Sequence, residues 1–185
     1  MVADRLVTVQ EFWEMPEPPG KRIELVRGEV RDLRPYGARQ ALIVGDIGRL
    51  LDDFVEASDL GVVFFGGVGC ILRRHPDSVR LPDIAFVAWE HFPGRRILDE
   101  FCPCAPELVV EVVGPNDRAS DLNEKLRDYL EGGSRQFWVL WPQRRVVTVW
   151  QSDRTGRELG PGDYLDGGNL LPGFRVRVAD LFAIP

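Results

Sequence analysis

The sequence predicts an α/β domain, a mixed β-sheet with helices packed against it. Runs with strand patterning and two longer segments with helical spacing follow in the order strands, helix, strands, helix, strands. One run, ELVVEVVGPN at 107–116, carries Leu108, Val109, Val110, Val112 and Val113 without polar alternation, the pattern of a strand covered on both faces. Inside that run stands Glu111, a carboxylate that is costly out of water unless it is paired, hydrogen-bonded or bound to a metal.

The elements are read in order from the N-terminus. Thr8-Val-Gln-Glu11 has capping-box spacing and opens a short helix to Met15, which the stretch 16–20 breaks. RIELVRGEVRDL, 22–33, alternates apolar and polar positions around Gly28, as two short strands or a tight hairpin would. From about 38 to 57, Leu42, Ile43, Ile47, Leu50, Leu51, Phe54 and Val55 recur at helical spacing and define the longest helix. VVFFGGVGCILRR, 62–74, is two strands around glycines. Because those glycines lie between strands, they are read as a turn and not as a phosphate cradle. DIAFVAW, 83–89, is a strand, and a loop rich in proline and charge runs from it to Pro106. After the strand of Glu111, ASDLNEKLRDYLEGG is a helix stopped by Gly132 and Gly133. FWVLW and RVVTVWQ, within 137–151, form a hairpin that places Trp138, Trp141 and Trp150 in the core. The remainder adds irregular short strands and a last turn. No internal repeat or long linker divides the chain, so one domain over 1–185 is expected, with its core at about 8–183.

With 185 residues, 44% hydrophobic and 28% charged, the composition is that of an ordinary soluble globule. No apolar run approaches the roughly 20 residues of a spanning helix, and the N-terminal stretch lacks the apolar centre of a signal peptide. A cytoplasmic protein without membrane contact is expected. Three cysteines, Cys70, Cys102 and Cys104, lack paired CxxC spacing and are read as reduced thiols. Cys102-Pro-Cys104 has no histidine nearby in sequence and is read as a loop, not a zinc site. His75 and His91 fall in loops with no role assigned.

A net charge of −6 argues against non-specific coating of nucleic acid, which depends on many cation–phosphate contacts. Arg73, Arg74, Arg80, Arg95 and Arg96 can form a local basic rim, although such runs are ordinarily solvated strand ends and loops. Of 23 basic residues only Lys21 and Lys125 are lysine. A compact ammonium suits the positioning of water or the stabilisation of developing charge in a tight site, so these two positions single themselves out.

The candidate chemistry gathers downstream. Leu81-Pro82-Asp83 sets an aspartate at the mouth of a strand, and Glu111 and Lys125 follow. Asp121, Lys125 and Tyr129 share one face of the second helix at i, i+4 and i+8. Two carboxylates from neighbouring strands can hold a hard divalent cation without histidine, and an ammonium beside them can orient the attacking water. Those are the parts of metal-assisted phosphodiester hydrolysis. Taken singly, Asp83 reads as a turn aspartate, Lys125 as half of a helical salt bridge with Asp121, and Glu24 as a solvated strand residue.

Pro82-Asp83, ELVVEV at 107–112 and the downstream D-x3-K-x3-Y resemble the PD-(D/E)xK nuclease superfamily. More narrowly, RIELVRGEV, EVVGPN and GGSRQFWVLWP are similar to the landmarks of the Uma2 family of restriction endonucleases, over nearly the whole chain. The resemblance implies a restriction-endonuclease-like fold, a mixed central sheet flanked by helices with added β-hairpins. It implies Asp83 and Glu111 as ligands of Mg2+ or Mn2+, and Glu24 as an additional acidic residue of the site. The superfamily's usual lysine position, two after Glu111, holds Val113, so the resemblance implies that Lys125 supplies the amine from the helix. The leading expectation is a nuclease cutting DNA, as a homodimer by analogy with enzymes that cut both strands. Its alternatives are a non-catalytic domain of the same fold that binds nucleic acid or a protein partner, and a phosphoesterase acting on a smaller substrate.

Overall fold

The computed structural model describes residues 5–16, 18–97 and 99–183. The chain opens with helix α1 (Val9–Trp13), capped as its spacing predicts: the Thr8 hydroxyl accepts from Glu11 N, and the Glu11 carboxylate accepts from Thr8 N. Strands β1 (Arg22–Val26) and β2 (Glu29–Leu33) form a hairpin whose two-residue turn, Arg27-Gly28, has φ of 51° and 81°. A turn with both central residues at positive φ matches the twist of the strands it joins, and glycine adopts it without strain.

Helix α2 (Ala38–Ala57) follows, then β3 (Gly61–Phe65), β4 (Cys70–Arg73), β5 (Ser78–Arg80) and β6 (Ile84–Ala88). The long connection through residues 89–107 leads to β7 (Leu108–Val112), helix α3 (Ala119–Gly132) and the hairpin β8 (Gln136–Trp141) and β9 (Val146–Gln151). Gly133, at φ 115°, ends α3 with its N–H donated to Leu130 O. Strands β10 (Gly156–Leu159), β11 (Tyr164–Gly167) and β12 (Leu171–Arg177) and a last 3-10 turn complete the chain.

A six-stranded mixed sheet in the order β10-β9-β8-β7-β6-β3 is the centre of the fold, and β7 and β8 are its parallel pair, joined through α3. On one face Ile43, Ile47, Leu51 and Val55 of α2 meet Phe86, Leu108, Val110, Trp138 and Leu140, with β11–β12 and the C-terminal turn closing over them. On the other face Tyr129 of α3 meets Val109, Phe137 and Val139. This double cover explains why β7 carries no polar alternation: all five of its residues are buried.

The expected strand pair within 62–74 is present, but its members lie in different sheets. β3 edges the six-stranded sheet, whereas β4 joins a four-stranded sheet in the order β2-β1-β5-β4. Strand β5 carries no apolar alternation that would announce it, because Ser78, Val79 and Arg80 are all buried and its polar members find partners inside. The Ser78 hydroxyl accepts from Arg27 N at 2.9 Å, and Arg80 is enclosed by carboxylates.

Val9 and Phe12 of α1 pack on Ile23, Leu25 and Val79 of this smaller sheet. Asp77 secures the contact, accepting from Val9 N at 2.7 Å and from His75 N at 3.0 Å. Burial works to raise its pKa, but these two N–H groups and Arg74 outweigh it and hold the carboxyl below its usual range. Asp77→Ala is therefore expected to cost about 2 kcal/mol, the scale of hydrogen bonds to a charged acceptor, measured by urea unfolding at pH 7. Because the folded pKa is depressed, this contribution is present above about pH 4 and is lost as pH falls through the folded value. The wild-type advantage over the variant should shrink accordingly in acid.

Candidate active site

Asp83 and Glu111 meet because of strand register. β6 and β7 are antiparallel with Ile84 opposite Val110 and Ala85 opposite Val109, so the next step outward sets Asp83 opposite Glu111. Both side chains lie on the α3 face of the sheet, opposite Ile84 and Val110, which face α2. The Asp83 carboxylate accepts from Val112 N at 2.7 Å and from the Tyr36 hydroxyl at 2.5 Å. Burial, with Asp83 next, keeps the Tyr36 hydroxyl protonated well above the usual tyrosine range.

Lys125 reaches the same point from α3. Its ammonium donates to Glu111 Oε1 at 2.9 Å and Oε2 at 2.8 Å, with side-chain exposures of 16% and 8% for the two residues. The salt bridge with Asp121 suggested by helical spacing is thus replaced by a tertiary one to the neighbouring strand. Burial pushes the Glu111 carboxyl up, with Lys125 pulling against it and Asp83 and Glu24 adding to it. Burial also works against the Lys125 charge, but Glu111, Glu24 and Asp83 outweigh it and hold the ammonium above the usual lysine range.

Glu24 of β1 is not a solvated strand residue. It is buried, and its Oε1 accepts from Arg80 Nη1 at 2.5 Å, while its Oε2 is buried with no hydrogen-bond partner among the described residues. Arg80, expected in a solvated rim, is enclosed at 2% exposure between Glu24 and Asp128, with Glu124 at 3.3 Å. The reason is geometric: β5 lies between β1 and β4 and turns Arg80 toward the acidic side of α3. Arg27 and Arg31 of the first hairpin extend the same seam to Asp128 and Glu124 at 3.1 and 2.7 Å. These pairs fasten the smaller sheet to α3 and so hold Glu24 beside the larger sheet.

Glu24, Asp83, Glu111 and Lys125 line one cleft of about 270 Å³, together with Asp121, Tyr36 and Gln40. Tyr129 does not line it. It is buried behind the sheet face against Phe137, and its hydroxyl is raised by burial and then by Glu111. The basic lining differs in part from the expected one: Arg80 of the expected set lines the cleft, joined by Arg22, Arg31, Arg34 and Arg118, whereas Arg73, Arg74, Arg95 and Arg96 do not. Arg22 also lies over the Tyr36 ring, 5.1 Å from its centroid. Gln40 ties the start of α2 to the site by donating to Val112 O at 2.6 Å. Sequence reasoning missed Tyr36, Gln40 and Arg22, because each sits in an ordinary loop, helix or strand end and carries no local signal.

A mixed sheet flanked by helices, with carboxylates from adjacent strands and a helical lysine in one cleft, defines a restriction-endonuclease-like protein. The Uma2 family, "Putative restriction endonuclease", matches residues 9–179, and the chain belongs to it. Among solved structures it is similar to the crystal structure of a putative nuclease belonging to DUF820 from Anabaena variabilis ATCC 29413. That likeness has a TM-score of 0.84 at 18% identity and covers 95% of this chain and 97% of that one, which shows the shared fold. No curated protein matches the chain. Among the described residues no helix is long and apolar enough to cross a membrane.

Proposed function

We propose that the chain is a magnesium- or manganese-dependent nuclease that hydrolyses DNA phosphodiester bonds by direct attack of water. Asp83 and Glu111 are the metal ligands, Glu24 is an additional acidic residue of the site, and Lys125 positions the nucleophile. The observation that carries this reading is the convergence of these four residues, from separate stretches of chain, in one arginine-lined cleft.

The donor set fits the ion. Carboxylate oxygens suit a hard divalent cation, and the buried Oε2 of Glu24 is an acceptor still without a hydrogen-bond partner. The oxygens of Asp83 and Glu111 already accept from Tyr36, Val112 and Lys125, yet each carboxylate oxygen offers a second lone pair. When bound, the cation supplies Lewis-acid activation of the water and of a phosphate oxygen. The chain's own groups do the remaining work. Lys125, held on Glu111, orients the incoming water and offers positive charge to the phosphate as its bond to the leaving nucleotide breaks. Arg22, Arg31, Arg34 and Arg118 bind flanking phosphates beside the carboxylates of the same cleft. A homodimer would present two clefts to the two strands of a duplex.

The test is cleavage of duplex and single-stranded DNA, and of RNA, with Mg2+, Mn2+ or chelator. Metal-dependent DNA cleavage is expected, reduced roughly 100-fold or more in Asp83→Asn and Glu111→Gln, since metal stabilisation of the transition state amounts to several kcal/mol. A Mn2+-dependent rise in thermal midpoint without cleavage of any polymer would redirect the reading to a smaller phosphoester. Neither a rise nor cleavage would leave the non-catalytic binding domain.

A further inference from the structure

The segment that leads into α2 reaches across the cleft to the two strands that carry Asp83 and Glu111. Tyr36 stands just before the helix and donates its hydroxyl to Asp83 Oδ1 at 2.5 Å. Gln40, in the first turn, donates to Val112 O at 2.6 Å. Val112 N donates in turn to Asp83 Oδ2 at 2.7 Å. Each oxygen of Asp83 is thus held by one donor, and the two donors come from different elements, the approach to α2 and strand β7. Without Tyr36, Asp83 would keep only the Val112 donor. The torsion that turns a carboxylate about its Cβ–Cγ bond is broad, so one hydrogen bond leaves the plane of the group free to swing, whereas one on each oxygen fixes it. A lone pair on each oxygen remains for a cation.

Packing does not account for Tyr36. It is half-buried and belongs to none of the apolar clusters among the described residues. Its ring is covered instead by the Arg22 guanidinium, 5.1 Å from the centroid. Arg22 has close backing in its turn: a Cβ at Gly67 would come within 2.1 Å of Arg22 Nη2, so the bare glycine leaves the guanidinium its place. That Nη2 is buried with no hydrogen-bond partner among the described residues, so stacking on the ring, and not a hydrogen bond from Nη2, is what Arg22 gains there. A tyrosine outside the core, with its ring held and its hydroxyl on a carboxylate of the cleft, is placed for that carboxylate.

We propose that Tyr36 is a positioning residue of the metal site: its hydroxyl fixes the Asp83 carboxylate in the orientation that binds the divalent cation. This rests on the reading of Asp83 as a metal ligand. Carboxylates that hold a metal are themselves hydrogen-bonded, and removing such an outer partner typically weakens binding by about 10–100-fold. Gln40 acts one step further out, by steadying the Val112 main chain that carries the second donor. A merely structural tyrosine would alter folding stability and leave the affinity for the ion alone. A hydroxyl that competed with the ion for Oδ1 would raise that affinity when removed.

The experiment uses the whole chain, freed of metal with chelator, and Mn2+ alone as the probe, with free and bound ion distinguished by electron paramagnetic resonance. Tyr36→Phe removes only the hydroxyl and keeps the ring under Arg22. At a half-buried position outside the core it should stay folded by circular dichroism, and it should bind Mn2+ roughly tenfold or more weakly than the wild type. Asp77→Ala, which loses stability at a distance from the cleft lining, should bind Mn2+ as the wild type does. Unchanged or tighter Mn2+ binding in folded Tyr36→Phe, or an equal loss in Asp77→Ala, overturns the proposal and leaves the metal reading of the cleft intact. A wild type that binds no Mn2+ at millimolar ion overturns that reading itself, and the role of Tyr36 with it.

Discussion

Lys125→Met should destabilise the metal-free protein by an amount that grows above pH 8 toward about 3–5 kcal/mol, because it removes the ammonium against which Glu111 ionises. The loss should be far smaller at pH 5. Glu111 already has its pKa pushed up to about 8 by burial, against the pull of Lys125, and removing that ammonium raises it further. A group whose folded pKa exceeds its unfolded value, about 4.3 for glutamate, binds more protons folded than unfolded, so stability falls as pH rises between the two. Urea unfolding in chelator should show a negative slope across pH 5–8 for both proteins, and the two should separate above pH 8, where the wild-type carboxylate ionises and that of Lys125→Met stays protonated. The double variant Glu111→Gln/Lys125→Met should recover most of the stability, since an amide facing a thioether carries no buried charge. Additive costs in the double variant would show that the two groups are not coupled. Neither single variant should retain nuclease activity, so the stability and activity readouts separate structural from chemical roles.

Arg80→Met should cost a similar amount, about 3–5 kcal/mol, because it strips Glu24 and Asp128 of their shared cation within the protein. Arg80→Lys should rescue little. The guanidinium bonds Glu24 through Nη1 and Asp128 through Nε and Nη2 at once, and a single ammonium does not span that fork. Screening by salt offers a further check: exposed pairs such as Arg95 with Asp59 are weakened by it, whereas the buried Arg80 seam should respond little to ionic strength. A cost below about 1 kcal/mol would place the Arg80 network with ordinary surface pairs. Because Arg80 holds one oxygen of Glu24, the variant should also weaken the metal response of the cleft.

The different elements were legible in the chain to different degrees. The capping box at Thr8, the Arg27-Gly28 turn, the helix 38–57 and the Glu111 strand each declare themselves by local rules of spacing, turn chemistry or burial. β5 does not: three residues with a serine and an arginine carry no pattern, and their strand character comes from neighbours on both sides. Glu111 stood out because an acid in an apolar run is anomalous by itself, and Lys125 because lysine is so scarce here. Tyr36, Arg22 and Arg80 are ordinary residues in ordinary settings, and nothing within a few positions of each marks it.

The sequence by itself determined the order of the elements apart from β5 and singled out Asp83, Glu111 and Lys125, since periodicity, turn chemistry and cost of burial act locally, whereas Glu24 came forward only with the family resemblance. The tertiary structure alone decided the pairings. Strand register set Asp83 opposite Glu111, the packing of α3 on the sheet gave Lys125 to Glu111 instead of Asp121, and β5 carried Arg80 inside. Which charges meet depends on contacts between residues tens of positions apart, and such contacts form only when the sheets and helices close on one another.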